Sequence, residues 1–224
     1  MSKNKNKYKK KDLAKVLDKL YRCRDLEISN LWQRSVFLSV FLILCFSAYG
    51  YISIKILSIN QIDNVFFKYN FASIILASIS IIFSVIWILM AKASKAWYEV
   101  YETAIRNFEK KFLSILGMPK ENIMGEMKLP NSKRNNRLFS TKGGAYSPSR
   151  INIAIGQISA TIWFIIVFFH IILHLIYTFE FVDSLNCFKN IFVFIAPLFT
   201  LIIVLYILKS SFLKSTFLNE DSNQ

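Results

Sequence analysis

His170 and His174 are the two histidines of this 224-residue chain, and both fall in one apolar run, "FFHIILHLIY". A spacing of four puts them on one face of a helix. Imidazoles placed there suit three chemistries. They can act as polar glue, each bonded to a hydroxyl or carbonyl across a helix interface. They can sense or relay protons, because imidazole titrates at about pH 6.5 and shifts easily. They can bind a metal, although no carboxylate or thiol stands nearby in the sequence to complete a ligand set. "HIILH" lacks the glutamate of HExxH, which excludes a zinc-protease helix.

Other catalytic signatures are missing. The chain has no GxSxG elbow, no Walker loop and no dinucleotide fingerprint. Its three cysteines, Cys23, Cys45 and Cys187, are scattered and show no CxxC or metal spacing. No Asp or Glu lies inside the long apolar blocks, which argues against an intramembrane aspartyl protease and against carboxylate-coupled transport. The expectation is a non-enzymatic protein with no cofactor and no metal.

Two further patterns carry interaction chemistry. Ser73, Ala77, Ser80 and Ser84 share one face of a helix, and Gly156 and Ala160 form a small-xxx-small step beside Gln157 and Thr161. Small residues let helix backbones approach, and hydroxyls or amides then bond across the contact. The same residues also suit a wet face lining a pore, and both readings stay open. In "SKAWYEVYETAIRNFEKKFLSILG", Trp97, Tyr101, Ile105, Phe108 and Phe112 recur at steps of four, four, three and four. That is one face of a helix. Such a stripe needs cover, from the membrane surface, the N-terminal helix or a second copy.

The elements that position these residues follow from the distribution of charge. Hydrophobic residues make up 54% of the chain, yet it carries a net charge of +14. The two are segregated. Apolar blocks run over about 35–56, 70–90, 151–177 and 191–208, and Lys55 is the one formal charge within them. A spanning helix needs about 20 mostly apolar residues, and charge left in hydrocarbon is costly. The predicted fold is therefore all-α: a polytopic membrane protein with four transmembrane helices and a helical cytoplasmic extension. A basic region precedes the first block, but block and region are both too long for a cleaved signal peptide, so the block reads as a retained span.

Lysine and arginine set the orientation. Residues 1–34 carry 11 of them and residues 92–150 carry 12, whereas the other two connections hold Lys55, Lys68 and Lys189. Both termini and the middle segment are thus expected in the cytoplasm. The predicted order is a basic disordered arm (1–20), a juxtamembrane helix (21–34) and a first transmembrane hairpin (35–90). An amphipathic cytoplasmic helix (91–117), a polar loop (118–150), a second hairpin (151–208) and a tail (209–224) follow. Gly117 and Pro119 read as a helix stop, Ser147 or Ser149 as a cap, and Pro148 as a first-turn residue. The basic arm acts as a topology signal or is drawn to anionic lipid at the cytoplasmic face. No recognition fold follows it, so nucleic acid is not an expected partner.

"LWQRSVFLSVFLILCFSAYGY", "SKAWYEVYE" and "YSPSRINIAIGQIS" together resemble the RipA-like bacterial membrane proteins, over a stretch from about Tyr21 to the end of the third span. The resemblance implies a bacterial inner-membrane location and assembly into a large homo-oligomer, with an octamer as the expected size. It supplies no reaction or substrate, and the expected function is a scaffolding, stress-adaptation or host-adaptation role. The alternative function is an oligomeric ion channel or pore, pH-responsive or serving as an antiviral membrane effector. Its lining would draw on the Ser73–Ser84 face, His170 and His174.

Overall fold

The computed structural model describes residues 10–59, 64–126, 135–137, 139–181 and 187–209 (the backbone alone for 64, 179–181 and 187–192). Residues 1–9 of the basic arm, 127–134 and 138 of the polar loop, and 210–224 of the tail lie outside the described residues. The described residues form four α-helices and one 3-10 turn, with no strand among them. Helix α1 is Lys10–Leu57, α2 is Asn64–Leu116, α3 is Pro148–Phe181 and α4 is Cys187–Lys209; the 3-10 turn is Lys120–Asn122. Segments of α1, α2 and α3 are long and apolar enough to cross a membrane.

The chain divides into two compact units, Met1–Phe37 with Leu89–Ala154 and Leu38–Ile88 with Ile155–Gln224. In the first unit the helix boundaries differ from those expected. Helix α1 begins at Lys10, so residues 10–20 are helical rather than disordered, and 21–34 is not a separate helix. The physical reason lies in Leu13, Val16, Leu17 and Leu20, which recur at helical spacing among the lysines. Leu13 is buried. A groove lined by Leu13, Val16, Phe108 and Phe112 shows where these first turns lie along α2. Likewise 91–116 is part of α2 rather than a helix of its own, with a departure from helical geometry at Phe112. Gly117, at φ +69°, ends α2, and its N–H bonds to the Leu113 carbonyl at 3.0 Å. A left-handed residue at this position costs glycine little.

Part of the segment read as a loop is also structured. Residues 118–126 fold back on the last turns of α2. Ile123 is buried, Arg106 Nε donates to the Met124 carbonyl at 3.0 Å, and Lys110 pairs with Glu126 at 2.9 Å. Gly125 has φ +79°, and a side chain there would collide with the Arg106 guanidinium. Helix α3 opens at Pro148, and the Ser147 carbonyl accepts the Ile151 N–H at 3.0 Å. Pro fits this first turn because its missing N–H has no intrahelical partner to lose.

In the second unit α2 is the central element. From Asn70 to Ile88 it exposes Ile79 alone. Its neighbours α1 and α3 turn apolar faces outward: Ile43, Leu44, Ile165 and Phe168 are each more than 60% exposed. Contiguous apolar surface of this kind belongs against lipid or another subunit. Helix α4 buries Val193, Thr200 and Val204 along one face and carries Pro197 in its interior.

Candidate functional site

The second unit holds a hydrogen-bond network centred on His170. Asn70, His170 and Tyr49 come from α2, α3 and α1. His170 is 2% exposed and Asn70 is 0% exposed. Asn70 Nδ2 donates to the His170 carbonyl at 3.1 Å, and this orients the amide. Asn70 Oδ1 then faces His170 Nδ1 at 2.6 Å, so Nδ1 carries the proton. Nε2 is left as an acceptor, and the Tyr49 hydroxyl, 3.1 Å away, donates to it. The network is complete with a neutral ring. A second proton, on Nε2, would force Tyr49 to give up its donated bond. The Tyr49 ring lies edge-on to both His170 and Trp163, and Trp163 stacks on Phe46. Beside the network is a cleft of about 450 Å³, lined by Ser53, Ile56, Phe66, Leu173 and Tyr177 among others.

His174 sits one turn further along the same face. It is buried, edge-on to Phe67 with ring centroids 5.3 Å apart. The two histidines therefore share a helix face but meet different neighbours. Among the described residues, no three His, Cys, Asp or Glu side chains converge as a metal would require.

The small-residue faces meet one another. Ser73, Ala77, Ser80 and Ser84 are each 0% exposed. The hydroxyls of Ser73, Ser80 and Ser84 bond to the carbonyl one turn back, and Ser84 Oγ also lies 2.9 Å from Ser159 Oγ on α3. Gly156 packs so closely on α2 that a Cβ would stand 2.9 Å from Ile88 Cγ1. Ala160 is buried in the same contact. Protein covers this face within a single protomer. Gln157 departs from the expected grouping: it is exposed, about 100° around the helix from Gly156.

The first unit contains a polar seam that apolar periodicity does not reveal. Along α2 the residues turned towards α1 and α3 are Ser94, Tyr98, Glu102, Ile105 and Glu109. Arg34 Nη1 donates to Ser94 Oγ at 3.2 Å, and Arg24 Nε to Glu102 Oε1 at 3.3 Å. Tyr21 Oη donates to Glu109 Oε1 at 2.8 Å, and Tyr98 Oη lies 2.6 Å from Ser149 Oγ. The pairs run in opposite chain directions, as antiparallel helices require. Asn152 Nδ2 donates to Ser35 Oγ at 2.6 Å, and Ser35 Oγ to the Leu31 carbonyl. Glu109 is fully buried, and its other oxygen accepts the Met124 N–H at 2.7 Å. Burial, followed by the bond and charge of Glu109, pushes the Tyr21 phenol up to about 12.

This seam corrects one residue of the aromatic stripe. Ile105 is 0% exposed inside the unit, so it is not offered to another copy. Trp97, Tyr101, Phe108 and Phe112 are half-buried, paired as Trp97–Tyr101 and Phe108–Phe112. The missed residues were legible in principle. Ser94, Tyr98, Glu102 and Glu109 recur at four, four and seven, and Arg34, Arg24 and Tyr21 complement them in reverse order. Asn70, by contrast, stands 100 residues from its partner, and nothing local announces the pair.

Long apolar helices with inward polar pairs and outward apolar faces define an all-helical membrane protein. The model of the octameric membrane protein family (8xMP) matches residues 14–172. The chain belongs to that family, and is accordingly an oligomeric membrane protein. The matched stretch contains Tyr49, Asn70 and His170, while His174 and α4 lie beyond it. No curated protein and no solved structure matches the chain.

Proposed function

We propose that the protein is a non-enzymatic scaffold of the bacterial inner membrane, assembled as a homo-octamer. Each subunit crosses the membrane four times, α4 supplying the fourth span, and keeps both termini and residues 91–150 in the cytoplasm. One observation carries this reading. Asn70, His170, Ser84 and Ser159 in the membrane segments are turned inward and bonded within the protomer, and the outer faces of α1 and α3 are largely apolar. That arrangement builds a rigid unit with surfaces suited to lipid and to copies of itself. The family description supports the octamer. The 11 and 12 basic residues of 1–34 and 92–150 support the orientation, and would draw anionic lipid to the cytoplasmic face.

Trp97, Tyr101, Phe108 and Phe112 would add cytoplasmic contacts between subunits. A role in stress or host adaptation, as in RipA-like proteins, is compatible with such a scaffold. The complete burial of Ser73, Ala77, Ser80 and Ser84 favours the scaffold over a channel lined by that face. Native mass spectrometry of nanodisc-embedded protein tests the proposal, with eight copies expected. Monomers throughout would overturn it. So would ion flux through proteoliposomes, at pH 5.5 or 7.5, that His170→Ala abolishes.

A further inference from the structure

Deep in the membrane segments of α1 and α3 the exposed polar side chains are few. Ser47 Oγ donates to the Ile43 carbonyl at 2.9 Å, and Thr161 Oγ1 donates to the Gln157 carbonyl at 2.9 Å. Both hydroxyls spend their proton on their own helix. Gln157 does not. It is exposed, and its side-chain amide has no hydrogen-bond partner among the described residues. It lies seven residues past Arg150, about 10 Å along the axis at about 1.5 Å per residue. A span of 151–177 is about 40 Å long and a hydrocarbon core about 30 Å thick, so the amide falls within the core, towards its cytoplasmic side. Two unmet donors and an acceptor facing lipid tails are strongly disfavoured.

We propose that Gln157 and Thr161 form the polar centre of a contact between adjacent copies of this chain, made by the outer face of α3. This rests on the oligomeric reading above. The pair offers a neighbouring copy donors and an acceptor at one point. Gln157 Nε2 presents two donors, and Thr161 Oγ1, its own proton already given away, presents an acceptor. In a ring about the membrane normal, equivalent residues share one depth. Neighbours in such a ring meet through two different faces, so this face of α3 docks against another face of the adjacent copy at the depth of Gln157. Ile158, Phe164, Ile165 and Phe168 are exposed around the pair and supply a dry apolar rim. A second copy is therefore the occupant that both satisfies the amide and excludes lipid from it.

The test uses the full chain in nanodiscs, with Gln157→Leu, Thr161→Val and the double variant. Assembled and dissociated fractions are read by native mass spectrometry after dilution, and folding by helical circular dichroism. We expect each single variant to lower the assembled fraction about tenfold with helicity intact, and the double variant to lose little more. In a background with Cys23, Cys45 and Cys187 replaced by Ala, Gln157→Cys should resist a charged, membrane-impermeant thiol reagent in the assembled particle. Assembly of Gln157→Leu at the wild-type level would overturn the contact. Rapid labelling of Gln157→Cys by a charged, membrane-impermeant thiol reagent in the assembled particle would also overturn it, since it would place the residue against water. Monomeric wild-type protein would instead sink the oligomeric reading itself.

Discussion

Replacing Asn70 by Leu isolates the central bond of the membrane unit. The substitution keeps the volume close to constant and removes both hydrogen bonds to His170, of 2.6 and 3.1 Å. His170 is 2% exposed, so its Nδ1–H has no water to turn to. An orphaned buried donor costs about 1–3 kcal/mol. Couplings measured between membrane helices are smaller, averaging about 0.6 and reaching about 1.7 kcal/mol, because the unfolded chain in a bilayer finds other partners. Two bonds serve one pair here, so a loss of about 1–2 kcal/mol is expected. At about 2–4 °C per kcal/mol for a chain of this size, Tm falls by about 2–8 °C. His170→Leu should cost a similar amount, since it orphans Asn70 Oδ1 and the Tyr49 hydroxyl. The Asn70→Leu/His170→Leu double variant leaves only Tyr49 unmet, and should lose clearly less than the two single losses added. Thermal melting of detergent-solubilised protein, followed by tryptophan fluorescence, to which buried Trp87 and Trp163 contribute, reads all four corners of the cycle. Additive losses, or an unchanged Tm for Asn70→Leu, would refute the reasoning.

Three further outcomes follow from the same geometry. Gly156→Leu drives a side chain into Ile88 and Trp87, which stand 2.9 and 3.3 Å from the Cβ position; overpacking of about 1–3 kcal/mol should lower Tm, with Gly156→Ala milder. Glu109→Leu removes the acceptor for both Tyr21 and the Met124 N–H, so the 117–126 turn should open and trypsin should cut after Lys120 about 5–30 times faster, the ratio that 1–2 kcal/mol confers. For Tyr21 the folded-state value is raised from 10.0 to about 12, so its contribution to stability is complete below pH 10 and disappears as pH rises from 10 to 12; phenolate absorbance and alkaline melts should show that step in wild type and lose it in Tyr21→Phe.

The helical class was legible because the bilayer imposes it: about 20 apolar residues without Asp or Glu leave the backbone no other way to satisfy itself. Element boundaries in the first unit were harder. The lysines of 10–20 mask Leu13, Val16, Leu17 and Leu20, whose spacing is helical although their local composition is not apolar. The inner face of residues 91–116 misleads for a different reason. Its apolar stripe runs through Trp97, Tyr101 and Phe108, while the line turned inward runs through Ser94, Tyr98, Glu102 and Glu109. A polar residue reads as solvent-facing until its partner is known, and the partners lie 51 to 88 residues away. The same limit applies to His170. Its spacing from His174 marks a helix face, but whether that face meets Asn70, a metal or water depends on a helix elsewhere in the chain.

The enclosed position of α2 between Asn70 and Ile88 has a genetic consequence. A lesion there spoils the subunit before it can join its fellows. In cells carrying both alleles, healthy chains would associate among themselves and the defect would be recessive. A lesion on the outward side of α1 leaves the subunit folded and able to enter mixed assemblies. One faulty member among several could then disable the whole particle, and such alleles would be dominant-negative.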